Sequence, residues 1–305
     1  MQTAVLVNTS ARALRRDRDL VAAIRLAASG PSRVWTTESL SELAVAARQI
    51  VDSGARRVVL CGGDGTLMNG VTALSACGAL PEVVVAPGGT VATVARNWGQ
   101  RAGLLDTVRR ATRDVPPLRT LQSPTLRVVG DGERVGFIFG TGLVARFFER
   151  YYAAGAGGYA AAARIVARIF VGSFVTDAYS RSVLEPLPCR ITVDDRTLEP
   201  DAFSLVVASV VKDLGLHMWV THRAGEDAER PHVVASPLAT RALGPQAPRV
   251  LVGKPLSGAG NFDGLVRELL LRFPGRPGPW VLDGDVFVSE EVRVSAGPRL
   301  RVAAF

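Results

Sequence analysis

The chain has 305 residues, 48% hydrophobic and 21% charged, with 31 glycines; that composition leaves room for two cores and excludes a disordered or fibrous chain. Its 36 basic and 28 acidic residues give a net charge of +8, a positive potential that suits nucleotide phosphates, nucleic acid or an anionic membrane alike. Cys61, Cys77 and Cys189 have no paired spacing, which argues against a disulfide framework or a cysteine zinc site and fits a reducing cytoplasm.

The N-terminal apolar run AVLV is too short for the core of a signal peptide. It reads as a first strand, followed by an Arg-rich helix through Leu26, a strand VWTT, a helix from Ser39 to Asp52, and the strands RVVLC and EVVVA. Such alternation predicts a parallel sheet covered by helices. A helix over Leu104 to Arg113 ends at Val115-Pro116-Pro117, a domain boundary signal. From Thr125 the pattern turns to short alternating runs, which predict antiparallel strands. They are interrupted by one helical insertion, about Val144 to Phe170, that carries Phe147, Phe148, Tyr151 and Tyr152. The weakly polar stretch Ala153 to Phe174 is broken by Arg164 and Arg168 and fails as a spanning helix. Strand character returns around a tight turn at Asp283-Gly284. The expected architecture is therefore α/β plus all-β: residues 1–121, with a returning segment at about 290–305, form an N-terminal three-layer α/β nucleotide-binding domain. Residues 122–289 form a C-terminal antiparallel β-sandwich-like domain.

The strongest local signal is RRVVLCGGDGTLMNG, in which a buried strand runs into Gly62-Gly63-Asp64-Gly65-Thr66 and then a helix holding Asn69. Glycines there let backbone amides approach phosphate oxygens, and the helix N-terminus adds positive dipole. A carboxylate beside phosphate implies an intervening metal, so Asp64 points to a magnesium nucleotide. A second loop, Pro87-Gly88-Gly89-Thr90, is built the same way after the next strand. Two such loops at adjacent strand ends belong side by side at the carboxyl edge of one sheet, where α/β proteins bind ligands. Neither GxxxxGK[ST] nor a strand-led GxGxxG is present, which leaves out the P-loop and dinucleotide folds. His217, His222 and His232 have no metal-ligand spacing and read as surface or partly buried residues.

These residues resemble the diacylglycerol kinase catalytic superfamily, which includes bacterial lipid kinases, sphingosine and ceramide kinases and, more distantly, NAD kinases. The GGDGT segment carries the resemblance. Asn8-Thr9-Ser10 looks like the family's NPxSG loop, and Thr36 stands where the family has a nucleotide-contacting threonine. Gly140-Thr141-Gly142 with Val144-Ala145 is similar to its GxGxDA segment, and Asp283-Gly284-Asp285 to its late DGE motif. The chain departs from the family where GTxNDFAR is replaced by Gly89-Thr90-Val91-Ala92-Thr93-Val94-Ala95-Arg96. It departs again where the magnesium-linked DGLLD is reduced to Asp227-Ala228-Glu229-Arg230-Pro231.

The resemblance implies a cytoplasmic, peripherally membrane-associated lipid kinase. It would move the γ-phosphate of ATP, with Mg²⁺, to a hydroxyl of diacylglycerol or a sphingoid lipid such as ceramide, in a cleft between the two domains. Asn8, Thr9, Ser10, Thr36, Gly62, Gly63, Asp64, Gly65, Thr66, Asn69, Gly88, Gly89 and Thr90 would face the nucleotide. Asp64 would hold magnesium through water or phosphate, and Asp227 is the remnant of a second metal site. Asp64 joins the late acids Asp283 and Asp285 as the catalytic carboxylates, with either late acid open as the base. The alternatives are an NAD kinase-like enzyme or a catalytically weak nucleotide- or lipid-binding regulator. The partners expected are a lipid substrate, a membrane surface and, compatibly, a second copy of the chain, with no nucleic acid.

Overall fold

The computed structural model describes residues 2–17, 19–30, 32–88, 92–155 and 158–305. Gly89 and Thr90 therefore lie outside the described residues. The chain divides into two compact units, Met1–Ser123 with Pro298–Phe305, and Pro124–Gly297.

The first unit is built on a six-stranded sheet. Strands Arg33–Thr37, Thr3–Asn8, Arg57–Gly62 and Glu82–Pro87 run parallel in that spatial order, followed by Leu300–Ala304 and the antiparallel edge strand Arg119–Ser123. Strand Arg57–Gly62 is buried along its whole length, the signature of a central parallel strand covered on both faces. Val5, Val7, Val59, Cys61, Val84 and Ala86 point to one side, where they pack with Ile24, Val108 and Phe305. Leu60 points to the other, against the helix Asp64–Ala76, whose Gly70 leaves room for it: a Cβ there would lie 3.1 Å from Leu60. Helices thus cover both faces of the sheet. The strand starts are tied by a buried ion pair, Arg57 Nε to Glu82 Oε2 at 2.7 Å, at the end opposite the glycine loops.

Two local expectations change in detail. The Arg-rich segment forms two helices, Arg12–Arg16 and Asp19–Ala27, because Asp17 leaves helical geometry at φ −125°. The returning C-terminal segment is short: Glu291–Ala296 still pairs within the second unit, and only Leu300–Ala304 enters the parallel sheet. Gly297-Pro298 separates them, where proline has no amide for a continuous ladder. Helix Leu40–Asp52 begins as expected, with Ser39 capping the Glu42 amide at 3.2 Å.

Among its described residues the second unit holds two six-stranded sheets and a two-stranded ribbon, all paired antiparallel. In one sheet the order is Phe262–Leu265, His232–Ser236, Leu205–Ser209, Ile138–Gly142, Gly278–Leu282, Asp285–Ser289. The insertion is longer than the sequence suggests and comprises helices Leu143–Ala153, Tyr159–Val175 and Ala178–Leu184. Tyr151, Ile165, Ile169, Val183 and Leu184 form a core with Leu205 and Val207 of that sheet, and Phe147 and Phe148 pack against it. The aromatic run of the first helix is thus mostly a packing face, with Tyr152 left exposed. No helix among the described residues is long and apolar enough to cross a membrane alone.

Candidate active site

In the first unit the two glycine loops end adjacent strands, and their register pairs Gly62 with Pro87. The Gly88 amide donates to the Gly62 carbonyl at 2.9 Å, so the loops are joined directly. Each glycine is forced by a close approach. A Cβ on Gly62 would fall 2.2 Å from Thr66 Oγ1, and one on Gly88 2.8 Å from the Leu104 side chain.

Asp64 binds the loops together from the side. Its Oδ2 accepts the Thr93 amide at 2.8 Å and its Oδ1 the Val94 amide at 3.1 Å. These amides open the short helix Thr93–Asn97 that follows the second loop, so the acid of the first motif caps the helix of the second. Burial pushes the Asp64 carboxyl up, against the opposing pull of the two amides and Arg96.

The Asn-Thr-Ser segment joins the same edge. Asn8 Nδ2 donates to Thr66 Oγ1 at 3.0 Å, while Asn8 Oδ1 accepts the Ser10 amide at 3.0 Å. The Thr9 amide and hydroxyl both donate to the Thr37 carbonyl, at 3.0 and 3.2 Å. Asn8 is thus hydrogen-bonded to Ser10 and Thr66, Gly62 to Gly88, Thr9 to Thr37 and Asp64 to the Thr93 and Val94 amides, all around the carboxyl ends of adjacent strands. Gly63, Gly65 and Asn69 are half-buried near the start of helix Asp64–Ala76. Thr36 stands on the edge strand, paired with Val7, and is exposed.

In the second unit Asp283 and Gly284 form a two-residue turn with φ of +49° and +97°, closed by the pair Leu282 and Asp285. Two consecutive positive φ values match the tight hairpin turn favoured by Asp-Gly. The Asp283 carboxylate accepts the Phe137 amide at 3.0 Å and the Ile138 amide at 2.9 Å. It is 8% exposed. The hairpin is therefore pinned to the neighbouring strand by the side chain of its own turn. Asp285 is half-buried at the start of the next strand. Tyr152, which sequence reasoning did not place in the site, donates from its hydroxyl to the Gly284 carbonyl at 2.7 Å. Although Tyr152 is exposed as a residue, partial burial around its hydroxyl pushes this phenol up to about 12, and the charge of Asp285 adds to the shift. The Gly140-Thr141-Gly142 segment lies in the same sheet. Gly142 has φ +64°, and a Cβ there would sit 2.4 Å from the Ser204 carbonyl oxygen, so only glycine fits.

The two acids expected to hold metal stand apart from any donor cluster. Asp227 is engaged locally, accepting the Glu229 amide at 2.8 Å and lying 3.7 Å from Arg230. Among the described residues the only His, Cys, Asp and Glu group close enough to share an ion is His222, His232 and Asp263. Both Asp64 oxygens accept amides, and each keeps a second lone pair for a water on a phosphate-bound Mg²⁺. The loops themselves fit a phosphate ligand: they bring glycine backbone, the Thr66 hydroxyl and the Asn8 amide to one edge.

Residues 2–116 match the family model of the diacylglycerol kinase catalytic domain. The resemblance read from the sequence is borne out. Three solved structures from Bacillus anthracis str. Sterne share the fold. Two, of a proposed diacylglycerol kinase, superpose with TM-scores of 0.72 and 0.70 at 14% and 15% identity, covering 100% of this chain and 95% and 97% of theirs. The third, of a diacylglycerol kinase, gives a TM-score of 0.63 at 14% identity and covers 100% of this chain and 97% of its own. No match is found among curated proteins.

Proposed function

Because residues 2–116 match the diacylglycerol kinase catalytic domain and the whole chain carries that fold, we propose that this protein transfers the γ-phosphate of ATP to a hydroxyl of a membrane lipid. The observation that carries this reading is the joined pair of glycine loops, linked through Gly88 and Gly62 and braced by Asp64. Phosphoryl transfer needs in-line positioning, neutralised charge and a base for the attacking hydroxyl. The backbone of the loops, Thr66 and Asn8 position the phosphates. Bound Mg²⁺ supplies the charge neutralisation. We take Asp285, half-buried beside the Tyr152 phenol, as the acceptor of the lipid hydroxyl's proton, while the Asp283 carboxylate holds the Phe137 and Ile138 amides.

A surface for lipid is proposed on helix Tyr159–Val175. Ile165 and Ile169 of this helix are buried inward. Val171, Phe174 and Val175 are exposed instead, at 66%, 53% and 74%. Arg164 and Arg168 are exposed on the same helix, which has no acidic residue. Exposed apolar side chains beside arginine are complementary to an anionic bilayer, although Asp177 at the helix end offsets part of the Arg168 charge. Phe174→Glu with Val171→Glu should reduce sedimentation with phosphatidylglycerol vesicles at least about tenfold; unchanged sedimentation removes this surface from the proposal.

The activity is tested by incubating the purified chain with labelled ATP, Mg²⁺ and mixed micelles of diacylglycerol, ceramide or total lipid extract, with NAD in a parallel reaction. A newly labelled lipid, absent with Asp285→Asn, is the expected result. Label appearing in NAD alone, or in no acceptor, overturns the reading.

A further inference from the structure

In the second unit, three metal-type donors converge at the edge of the sheet that carries the Asp283 hairpin. His232 opens strand His232–Ser236, and Asp263 lies on the adjacent edge strand Phe262–Leu265. The register pairs Val234 with Asp263 and His232 with Leu265, so His232 and Asp263 are diagonal neighbours on one face. His222 arrives from the long connection between strands Leu205–Ser209 and His232–Ser236. One ligand atom from each of the three lies within 4.8 Å of the others.

Hydrogen bonding accounts for only part of this arrangement. His232 is fully buried, and its Nε2 lies 2.7 Å from Asp263 Oδ1, while its Nδ1 faces the Arg223 amide at 3.4 Å. His222 meets His232 edge to face, with ring centroids 5.1 Å apart. Its Nδ1 is buried and has no hydrogen-bond partner. A buried imidazole nitrogen without a partner is unfavourable and calls for a reason.

We propose that His222, His232 and Asp263 bind a zinc-type divalent cation that pins the connection carrying His222 to the sheet edge. Two imidazole nitrogens and one carboxylate oxygen are a donor set suited to Zn²⁺ and poorly suited to Mg²⁺, which prefers oxygen alone. The ion takes the place of the proton shared between His232 and Asp263, and that proton is released to solvent. Three protein ligands leave a fourth position for water. The register aligns Ile138, Ser209 and His232 across three strands, so the ion braces the same end of the sheet where Asp283 holds Phe137 and Ile138. At the usual strand spacing it stands roughly 14 Å from that hairpin, which separates it from the proposed phosphoryl-transfer chemistry.

The test uses the full chain, stripped with a chelator and dialysed, then titrated with Zn²⁺ by calorimetry and with Co²⁺ by visible absorption. One equivalent of each is expected, with a rise in Tm that Mg²⁺ does not reproduce. His222→Gln and Asp263→Asn should each weaken Zn²⁺ at least tenfold and abolish the Tm rise. Asp263 lies at the partly open rim, with a side chain 24% exposed, so Asp263→Asn keeps a folded protein for the comparison. Absence of binding to the folded wild-type chain, or equal Zn²⁺ affinity in Asp263→Asn and wild type, overturns the proposal. Neither result depends on whether the chain phosphorylates lipid.

Discussion

The GGDGT loop and the Asp283-Gly284-Asp285 hairpin lie in different units, one parallel and one antiparallel, yet each uses its first aspartate in the same way. Asp64 accepts the amides of Thr93 and Val94, and Asp283 those of Phe137 and Ile138. Each carboxylate fastens a second segment to its own turn. The difference lies in what stands next to the fastener. Beside Asp64 are backbone, Thr66 and Asn8, groups that position an anion. Beside Asp283 is a second acid, Asp285, which is half-buried and whose charge acts on the Tyr152 phenol.

The largest expected effect separates the two acids of the hairpin. Asp285→Asn should lower lipid phosphorylation by about 10² to 10⁴, the range for losing a general base, with a smaller loss of unfolding free energy than Asp283→Ala. A stability loss without a specific rate loss would break the comparison. Asp283→Ala should do the reverse in kind, costing about 2 to 4 kcal/mol in denaturant unfolding, because it strands two buried amides and empties the turn. A variant as stable as wild type would show that the fastening is dispensable.

A smaller effect sharpens the other half of the comparison. Burial raises the Asp64 carboxyl from its ordinary 3.8. A raised folded-state value means that the stability it contributes is complete below about 3.8 and is lost as pH rises through the folded value. The stability of wild type relative to Asp64→Asn should therefore fall as pH is raised above that point, measured by chemical unfolding at several pH values. A difference that grows with pH would mean that the amides outweigh burial.

Much of this was legible beforehand because it depends on local pattern. Alternating buried strands and amphipathic helices announced the parallel sheet, and GGDGT marked its ligand edge, since glycine and acid at a strand end restrict what can bind. The Asp-Gly hairpin was legible for the same reason. Asn8 was placed at the site by resemblance, but its bond to Thr66 joins residues far apart in the chain and was invisible until the strands were ordered. Which face of helix Tyr159–Val175 is buried was not legible, because periodicity shows that a helix has faces without showing which one a sheet will cover. That Asp283 accepts the Phe137 and Ile138 amides also could not be read from DGD, where both acids look equally available.

The sequence by itself determined the two-part architecture, the position of the glycine loops and the family resemblance, because these rest on residues close together in the chain. Only the tertiary structure decided which aspartates are consumed as backbone acceptors, and only it brought His222, His232 and Asp263 together. Spacing along the chain gave these histidines no ligand pattern, since their convergence depends on strand register and on a long connection folding back over a sheet edge. Hydrogen bonds and ligand sets are satisfied in space, and a linear pattern reports them only when the partners are also neighbours in sequence.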